Sequence, residues 1–425
     1  MEKRALLIAY HYPPVKGSSG LQRALRFSAY LGELGWGCDV LTVHPRAFER
    51  TGNDEMGDIP QDVEVVRAQA FDTKRHLAIM GKYPQALALP DRWVSWKIDG
   101  VRQGLKLLRR KKHQLIWSTY PIATAHTIGL ALAQKTGLPW IADCRDSMSE
   151  EGYPRQKAVF DSVRALEQKI VREATAVTFT APGALAMYKE RYPDVPDSRW
   201  RIIENGFDEG AFTGLNDQWQ PPKNETPLTL LHAGLLYPNE RDPRPFFAAI
   251  AALKSRGVFQ SNPIRVVLRA TGHDEVYRPL LEDLNITDLV HLEGAVPYRD
   301  ALQEMLLADG LLIFQSVGCN HQIPAKAYEY LRAARPILAL TDAAGDTASL
   351  LGANGHSQIA GLLDQSAIET ALETFVERVR RGGADDAKPA QDYSRRAQTA
   401  HLAALFDELT GNASASTGAA GSVHS

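Results

Sequence analysis

The chain has 425 residues, a formal net charge of −2 and three cysteines, and this length accommodates two or three domains of about 100–200 residues each. A charge this close to zero, without an arginine-rich stripe interleaved with aromatic residues, argues against a nucleic-acid partner. Cys38, Cys144 and Cys319 are too widely spaced for a Cys-x-x-Cys metal knuckle or a disulfide framework, which fits a reducing compartment.

The N-terminal apolar run is cut short by His11 and two prolines, so it predicts a first strand rather than a signal peptide. No run approaches the roughly 18 apolar residues of a membrane-spanning helix. We therefore expect a cytoplasmic protein that at most lies peripherally on the inner face of the cell membrane.

Apolar runs and amphipathic stretches alternate through the first half of the chain, as in a parallel sheet with crossover helices. The run at 4–10 predicts a buried strand, and a helix at 21–35 and a strand at 36–43 follow. The loop between them contains Gly17 and Gly20, where backbone can approach a ligand closely and aim N–H groups at it. Further strands are predicted at 63–66, 115–118, 139–142 and 176–180, with helices at 98–112, 124–135, 160–173 and 181–192.

Two features of this half allow both a structural and a functional interpretation. Tyr83, Trp93 and Trp96 either pack the domain, which we favour, or stack on a sugar or touch lipid. A basic cluster at 102–112 either is the solvated face of a crossover helix, which we favour, or attracts an anionic membrane surface.

Polar residues also follow the predicted strands. His126 comes just past the carboxyl end of a strand, where open α/β sheets bind ligands, and is a candidate catalytic residue, although a lone histidine is usually structural. Asp143 and Asp146 either contact an acceptor substrate or form a local ion pair with Arg145.

A polar, proline-containing stretch at 214–227 predicts an interdomain linker between domains at 1–213 and 228–390. A long helix at 391–410 follows, and the Ser/Ala/Gly-rich tail at 411–425 is predicted to be disordered. Strands of the second domain are predicted at 228–232, 264–271, 290–293, 310–314 and 336–340, with helices at 245–254, 276–284, 299–308, 325–334 and 368–381.

The stretch 321–340 carries the strongest functional signal. Pro324 suits the first turn of a helix, and the helix N-terminus it opens is an anion site, because free N–H groups and the helix dipole both point at the ligand. Glu329 lies five residues further on, about 7–8 Å along the helix axis at roughly 1.5 Å per residue. A phosphate at the helix tip and a ribose at Glu329 are therefore compatible; an ordinary helix with a solvated glutamate is the alternative.

This segment resembles the donor-binding helix of the family 4 retaining glycosyltransferases. Their usual signature is Glu-x7-Glu; here His321 stands at the first position and Glu329 at the second, within the variant Pro-x-Lys-x-x-Glu-Tyr-Leu. The opening Tyr-x-x-Pro-Pro at 10–14 and the stretches WIADCRD at 140–146 and IIENGFD at 202–208 are similar to family sequences as well.

The resemblance implies an α/β protein of the GT-B fold, with two Rossmann-like domains facing a central cleft and a C-terminal helix crossing back to the first domain. It implies that Arg241, with Arg244 next, holds the donor diphosphate, and a planar guanidinium suits paired phosphate oxygens. The resemblance implies that His321 lies near the transferred sugar, which makes it, beside His126, the second candidate catalytic residue. The implied donor-site residues are Gly17, Gly20, Gly234, Arg241, Arg244, Val296, Ile323, Ala325, Lys326 and Glu329.

The function implied is that of a retaining hexosyltransferase, which moves a sugar from a nucleotide-diphosphate donor to a glycan or lipid-linked acceptor in polysaccharide or glycolipid biosynthesis. In the family, the departing phosphate takes the acceptor proton, so we nominate no catalytic base. The chain contains no Asp-x-Asp, and we expect a metal-independent reaction with no cofactor beyond the donor.

Two alternatives stay open. One is a nucleotide-sugar 2-epimerase, which has the same fold. The other is a non-catalytic GT-B scaffold, suggested by His321 in place of the family's first glutamate and by Leu235, where the family has arginine.

Overall fold

The computed structural model describes residues 3–16, 19–220, 226–382 and 390–411. Gly17, the middle of the predicted linker at 221–225 and the predicted tail beyond 411 lie outside the described residues. Our predictions for these positions are therefore not tested by the structure.

The chain divides into two compact units. The first comprises Met1–Thr180, Ala184–Glu204 and Arg395–Ser425, and the second comprises Ala181–Gly183 and Asn205–Ser394. The second unit thus begins ahead of the linker that the sequence predicts at 214–227. Phe207 and Phe212 account for this, because both side chains are buried in the core of the second unit.

The first unit is built on seven parallel strands. They are β1 (Lys3–Ala9), β2 (Trp36–Val43), β3 (Val65–Ala68), β4 (Leu115–Thr119), β5 (Trp140–Asp143), β6 (Ala176–Phe179) and β7 (Trp200–Ile202). The sheet order is β3-β2-β1-β4-β5-β6-β7. Residues 5–9 of β1 are all buried, which explains an apolar run without the alternation of a half-exposed strand.

Helices connect these strands, as the amphipathic stretches predict. They are α1 (Ser19–Glu33), α2 (Trp96–Arg110), α3 (Ala123–Thr136), α4 (Lys157–Glu173) and α5 (Pro182–Arg191). Gly100 and Gly104 of α2 let α3 pack closely, because a Cβ at either position would lie 2.6 Å from a side-chain carbon of Ile128 or Leu132.

The second unit repeats the pattern with six parallel strands in the order β10-β9-β8-β11-β12-β13. The strands are β8 (Leu228–Ala233), β9 (Ile264–Arg269), β10 (Val290–Glu293), β11 (Gly310–Phe314), β12 (Ile337–Leu340) and β13 (Ile359–Ala360). The helices are α6 (Glu209–Phe212), α7 (Arg244–Ser255), α8 (Val258–Ser261), α9 (Asp274–Asp283), α10 (Tyr298–Leu307), α11 (Ala325–Ala333), α12 (Asp346–Ala353) and α13 (Gln365–Arg380).

The last helix, α14 (Arg395–Thr410), returns to the first unit. The ring of Phe406 meets Trp36 edge-on at 5.2 Å, and Lys3 Nζ lies 2.5 Å from a carboxylate oxygen of Asp407. The predicted C-terminal helix that crosses back to the first domain is thereby confirmed.

The predicted α/β class with two Rossmann-like domains is confirmed by the two parallel sheets. The sequence analysis missed β7 and β13, which are three and two residues long, too short to leave a periodic signal. Within the described part of the chain, no helix combines the length and apolar character needed to cross a bilayer.

Candidate functional site

Polar groups gather in the second unit where β8 and β11 lie side by side. From this pair, β9 and β10 extend to one side and β12 and β13 to the other, so the chain changes direction here. Open parallel sheets bind ligands beyond the carboxyl ends of the strands at such a switch point. His232 lies near the end of β8 and Gly234 follows the strand directly.

Gly234 leaves room for an ammonium group at this edge of the sheet. Its φ is +127°, and a Cβ atom built on it would lie 2.7 Å from Nζ of Lys326. L-residues rarely adopt this φ, and the Cβ separation is closer than real contacts allow. A larger residue at 234 would displace the lysine ammonium. The structure therefore brings together two of the site residues that the sequence predicts.

His232 holds Lys326 in place. The imidazole is fully buried, and its Nδ1 lies 2.9 Å from the backbone oxygen of Leu312. Because a carbonyl oxygen only accepts hydrogen bonds, Nδ1 carries the proton and Nε2 is left as an acceptor. Lys326 Nζ donates to this Nε2 at 3.2 Å. Burial, with Lys326 nearby, lowers the pKa of His232 well below its usual value, so the ring is neutral.

Lys326 is poised between its charged and neutral forms. Burial lowers the pKa of its ammonium group to about 7, and the positive charge of Arg241 acts in the same direction, while Glu329 opposes both. A cation whose pKa is depressed by burial and by a like charge is stabilised by any anion that binds beside it.

Arg241 supplies the second cation. Its Nε atom is buried and has no hydrogen-bond partner among the described residues. The guanidinium carbon lies 5.9 Å from the ring centre of Tyr237, and the Arg241 backbone N–H donates to the Tyr237 carbonyl at 2.8 Å. An unsatisfied buried donor is costly, and a bound phosphate would satisfy it with a charge-assisted hydrogen bond.

The N-terminus of α11 also has N–H donors that a bound anion would satisfy. Pro324 precedes the helix in an extended conformation, and no side chain caps the first turn. The first N–H groups of a helix have no intrahelical partner, and the helix dipole favours an anion there. Ala325 and Lys326 are the first two residues of this nine-residue helix. The helix tip and Lys326 therefore belong to one cationic site.

Glu329 lies one turn further along α11 and is held by Tyr298, whose hydroxyl donates to Oε1 at 2.6 Å. Tyr298 begins α10, and Val296 lies in the loop just before it. A carboxylate near a helix tip that binds anions is suited to accept hydroxyl groups of a bound ribose. Val296 therefore lies two residues before Tyr298, the hydrogen-bond partner of Glu329.

A buried amide shapes the loop that carries His321. Gln315 Nε2 donates to the backbone oxygens of Cys319 at 2.6 Å and Gln322 at 2.8 Å, and its oxygen accepts from Thr347 Oγ1 at 2.6 Å. His321 itself is half-buried, and the next residue but one, Ile323, is buried. Asp346 interacts electrostatically with His321, and burial raises the pKa of this carboxyl group.

Arg244 has a different environment from Arg241. Its guanidinium lies 2.5 Å from Asp242, and its side chain is 62% exposed. The carboxylate that already neutralises Arg244 makes it the weaker candidate for a phosphate contact. Its assignment to the donor stays a prediction, whereas the environment of Arg241 favours it as the diphosphate ligand.

In the first unit, His126 is fully buried in α3. Its Nδ1 lies 2.8 Å from Ser118 Oγ, and its ring stacks on Tyr120 with 6.2 Å between centres. Burial lowers the pKa of His126 to about 4, so the imidazole is neutral at pH 7. Its catalytic assignment stays a prediction, and its complete burial argues against direct contact with a substrate.

Gly20 lies in the first turn of α1, packed against Arg145 and His11. A Cβ on Gly20 would lie 2.8 Å from a guanidinium nitrogen of Arg145 and 2.9 Å from Nδ1 of His11. These residues lie close to Thr119 and Tyr120 at the carboxyl ends of β1 and β4. Burial, with Arg145 nearby, lowers the pKa of His11 to about 4.

Asp143 belongs to a buried ion pair. Arg23 donates to its two carboxylate oxygens at 3.0 and 2.8 Å, and Thr119 and Thr178 donate to the same group. The expected local ion pair forms between Arg145 and Asp146, with Nε 3.6 Å from a carboxylate oxygen. Asp143 pairs instead with Arg23, which is distant in the chain. These hydrogen bonds occupy both carboxylate oxygens of Asp143. The geometry therefore supports a structural role for Asp143 and gives no support to a contact with an acceptor substrate.

The aromatic and basic groups of α2 have mainly structural partners. Trp96 is fully buried, and Trp93 packs with its ring centre 4.7 Å from that of Tyr10. The structure thus agrees with the packing interpretation that we favoured for these two residues. In the basic cluster, Arg110 pairs with Glu64. Arg102 pairs with Asp99, and Lys111 pairs with Asp39 and Glu64.

Sequence reasoning missed His232 and Tyr298. His232 could have been found from its place, because it lies two residues before a glycine at the end of a buried strand. Tyr298 gave no signal, because its contact with Glu329 joins two successive helices whose packing the sequence does not reveal. No cluster of three or more His, Cys, Asp or Glu side chains that could hold a metal ion occurs among the described residues.

Comparison with known proteins agrees with this fold. Residues 20–206 match the model of the glycosyl transferase 4-like domain. No curated protein sequence matches the chain.

Solved structures match almost the whole chain. Sucrose-phosphate synthase from Thermosynechococcus elongatus aligns with a TM-score of 0.64 and 15% identity, over 97% of this chain and 100% of that one. Anabaena HepE in complex with UDP and glucose aligns with a TM-score of 0.63 and 14% identity, over 96% and 100%. A candidate UDP-N-acetylglucosamine 2-epimerase from Listeria monocytogenes aligns with a TM-score of 0.61 and 11% identity, over 97% and 98%.

Proposed function

We propose that this chain, a protein of the GT-B fold with a glycosyl transferase 4-like domain at residues 20–206, is a retaining hexosyltransferase. It moves a sugar from a nucleotide-diphosphate donor to a glycan or lipid-linked acceptor, in polysaccharide or glycolipid biosynthesis. The observation that carries the proposal is the pair of partly buried cations, Lys326 and Arg241, beside Gly234 and the uncapped start of α11.

A nucleoside diphosphate has a complementary group for each part of this site. Its two phosphates are anionic partners for Lys326 and Arg241. The phosphate oxygens also accept hydrogen bonds from the free N–H groups at the N-terminus of α11. Glu329, oriented by Tyr298 at 2.6 Å, accepts the ribose hydroxyls, and the backbone at Val296 contacts the base. HepE, a structural neighbour, binds UDP and glucose, which supports a donor of this class.

The chemistry breaks the bond between the anomeric carbon and the donor phosphate oxygen and forms a bond from the same carbon to an acceptor hydroxyl oxygen. The hydroxyl proton passes to the departing diphosphate, so no protein base is needed. Negative charge grows on the leaving phosphate in the transition state, where Lys326, Arg241 and the α11 N-terminus stabilise it. His321 hydrogen-bonds the sugar. In this proposal these cations replace a divalent metal.

Donor turnover followed by proton NMR tests the proposal. The nucleotide sugar is incubated with the full chain, with and without a lipid and glycan extract as acceptor. We expect release of the nucleoside diphosphate, a product with the donor's anomeric configuration, and undiminished activity after chelation of metals. Lys326→Met lowers the rate, and Lys254→Met, which removes a partly buried lysine of α7 that pairs with Asp288, serves as the matched control. A product of inverted configuration, or activity lost on chelation and restored by added metal, would contradict the proposal.

The epimerase stays an alternative because the Listeria neighbour has the same fold and because Asp346, whose carboxyl pKa is raised by burial, lies near His321. The same NMR experiment separates the two. An epimerase interconverts two nucleotide sugars without releasing the nucleoside diphosphate, and Asp346→Asn would abolish that interconversion. Binding of the donor without any turnover would favour the scaffold.

A further inference from the structure

One segment of the first unit exposes unusually large apolar side chains. Met80 is 97% exposed, Ile98 is 81% and Ile79 is 80%, and these are the three most exposed large hydrophobic residues in the described part of the chain. Phe71, Leu77 and Leu87, each about two-fifths exposed, lie in the same stretch. Single exposed apolar residues need no explanation, but a concentration of this kind marks an interaction surface.

Hydrogen bonds hold the stretch together as one surface. Thr73 Oγ1 donates to the backbone oxygens of Leu87 at 2.5 Å and Arg92 at 2.9 Å. The Phe71 backbone N–H donates to Ser95 Oγ at 2.8 Å, one residue before α2 begins. The first turns of α2, with Ile98, therefore adjoin the segment 71–90. We call residues 71–98 the apolar segment.

The tip of the apolar segment is a tight turn. Ile79 and Lys82 exchange two backbone hydrogen bonds, of 2.9 and 3.0 Å. Between them, Met80 has a φ of +50° and Gly81 a φ of +76°. Glycine and asparagine are the residues that such turns favour, so a methionine in the left-handed region bears backbone strain as well as exposure. The tip of this turn therefore presents an almost fully exposed apolar side chain.

Positive charge surrounds this tip. Residues 73–90 include Lys74, Arg75 and Lys82 and contain no Asp or Glu, and all three cations are exposed. The acids that flank the stretch point inward. Asp72 is fully buried and accepts from the backbone N–H groups of residues 74 and 75. Asp91 accepts from Thr124. The residues of the segment itself therefore present an apolar and basic face, beside which the exposed Glu49 is paired with Arg92.

We infer that the apolar segment docks on an anionic lipid bilayer, with the side chains of Ile79 and Met80 in the headgroup region and the neighbouring cations on lipid phosphates. An apolar projection within a basic collar complements such a surface, because insertion of apolar groups and attraction to anionic lipid act together. Long lysine side chains reach outward to phosphates while their stems cover apolar surface.

This placement differs from the membrane contact considered for the basic cluster of α2. Arg102, Arg110 and Lys111 of that cluster are paired with Asp99, Glu64 and Asp39, which reduces the charge they present to lipid. The inference concerns the first unit only and does not rest on the donor site of the second. Vesicle binding and donor binding are separate measurements, so each hypothesis stands or falls alone.

Vesicle sedimentation of the full chain tests the inference. The wild-type protein is mixed with vesicles of phosphatidylcholine alone or with about one-third phosphatidylglycerol. We expect binding to the anionic vesicles only, weakened by salt. Ile79→Ser combined with Met80→Ser should lower the partition coefficient at least tenfold, because two inserted side chains lose their apolar burial. Lys74→Ser combined with Lys82→Ser should lower it about tenfold as well, since each lysine near anionic lipid contributes to binding.

The matched control carries Leu307→Ser and Leu363→Ser, which remove exposed leucines (46% and 72%) of the second unit, and it should bind like the wild type. Equal thermal melting points for the variants show that they fold. The inference would be overturned if the wild-type protein did not bind anionic vesicles, or if the Ile79/Met80 double variant bound them with the wild-type partition coefficient. So would a wild-type dimer that the same variant converts to a monomer without lipid, because the segment would then contact a second copy of the chain.

Discussion

Donor affinity should depend on the protonation of Lys326. Burial and the charge of Arg241 hold the pKa of its ammonium at about 7 in the free protein. A bound diphosphate supplies the missing negative charge and keeps the lysine protonated, so binding takes up a proton above neutral pH. The affinity is therefore at its maximum below pH 7 and falls as pH rises through 7.

The size of the effect follows from the pKa. The protonated fraction of free Lys326 falls from about three-quarters at pH 6.5 to about one-thirtieth at pH 8.5, for a pKa of about 7. The Kd of a nucleotide sugar should rise about 25-fold over this range, equivalent to about 2 kcal/mol. A nucleotide sugar is the suitable probe, because both its phosphates stay ionised throughout.

Isothermal titration across this pH range is the assay. Lys326→Arg should flatten the profile, because a guanidinium stays charged, and Lys326→Met should flatten it at the weak alkaline affinity of the wild type. Lys254→Met is the control and should keep the wild-type slope. A wild-type Kd that changes less than about threefold, or a slope that survives in Lys326→Arg, would refute this reasoning.

The remaining predictions concern neighbours of Lys326 and the first unit. His232→Leu removes the acceptor that holds Lys326 at 3.2 Å and should raise the donor Kd about tenfold; His232→Gln, which keeps an acceptor, should recover most of the loss, and equal Kd values for the two variants would contradict this role. Gly234→Ala places a methyl group 2.7 Å from Lys326 Nζ at a φ of +127°; calorimetry should show at least tenfold weaker donor binding and thermal melting a loss of about 1–3 kcal/mol, and an unchanged Kd would contradict it. Without ligand, Lys326→Met should raise the melting temperature most below about pH 7 and progressively less as the pH rises to about 10, because the wild type loses the cost of its depressed lysine pKa over that range; a lower melting temperature would contradict it. Asp143→Ala removes the carboxylate that balances the charge of the buried Arg23, which also donates to backbone oxygens, and should cost about 3–5 kcal/mol in urea unfolding; a loss below about 1 kcal/mol would show that the pair is not structural.

The architecture was largely predictable because each buried strand leaves a local mark. The strands at 36–43 and 310–314 have the predicted bounds, since a buried parallel strand is a continuous apolar run between turn signals. Helix ends differ by up to four residues: α14 begins at Arg395 rather than 391, and α4 begins at Lys157 rather than 160. Gln156 caps it without a side-chain bond, so the sequence contains no start signal there.

The candidate site was only partly predictable. Lys326 and Glu329 share one helix, so their proximity follows from spacing alone. The pairing of His232 with Lys326 depends on the position of α11 beyond β8, a long-range arrangement without a local signature. The same holds for the choice between Arg241 and Arg244, which is decided by Asp242, a neighbour whose orientation the sequence does not reveal.

Thermal shift with a panel of UDP, GDP, ADP and their sugar conjugates tests the central claim, that the second unit binds a nucleoside diphosphate at Lys326, Arg241 and Glu329. A ligand that binds the native state alone raises the melting temperature by mass action. The account predicts a shift with one nucleotide class, its loss in Glu329→Ala, and its retention in Glu282→Ala, an exposed glutamate on α9. No shift with any nucleotide, or the same shift in Glu329→Ala, would contradict the account.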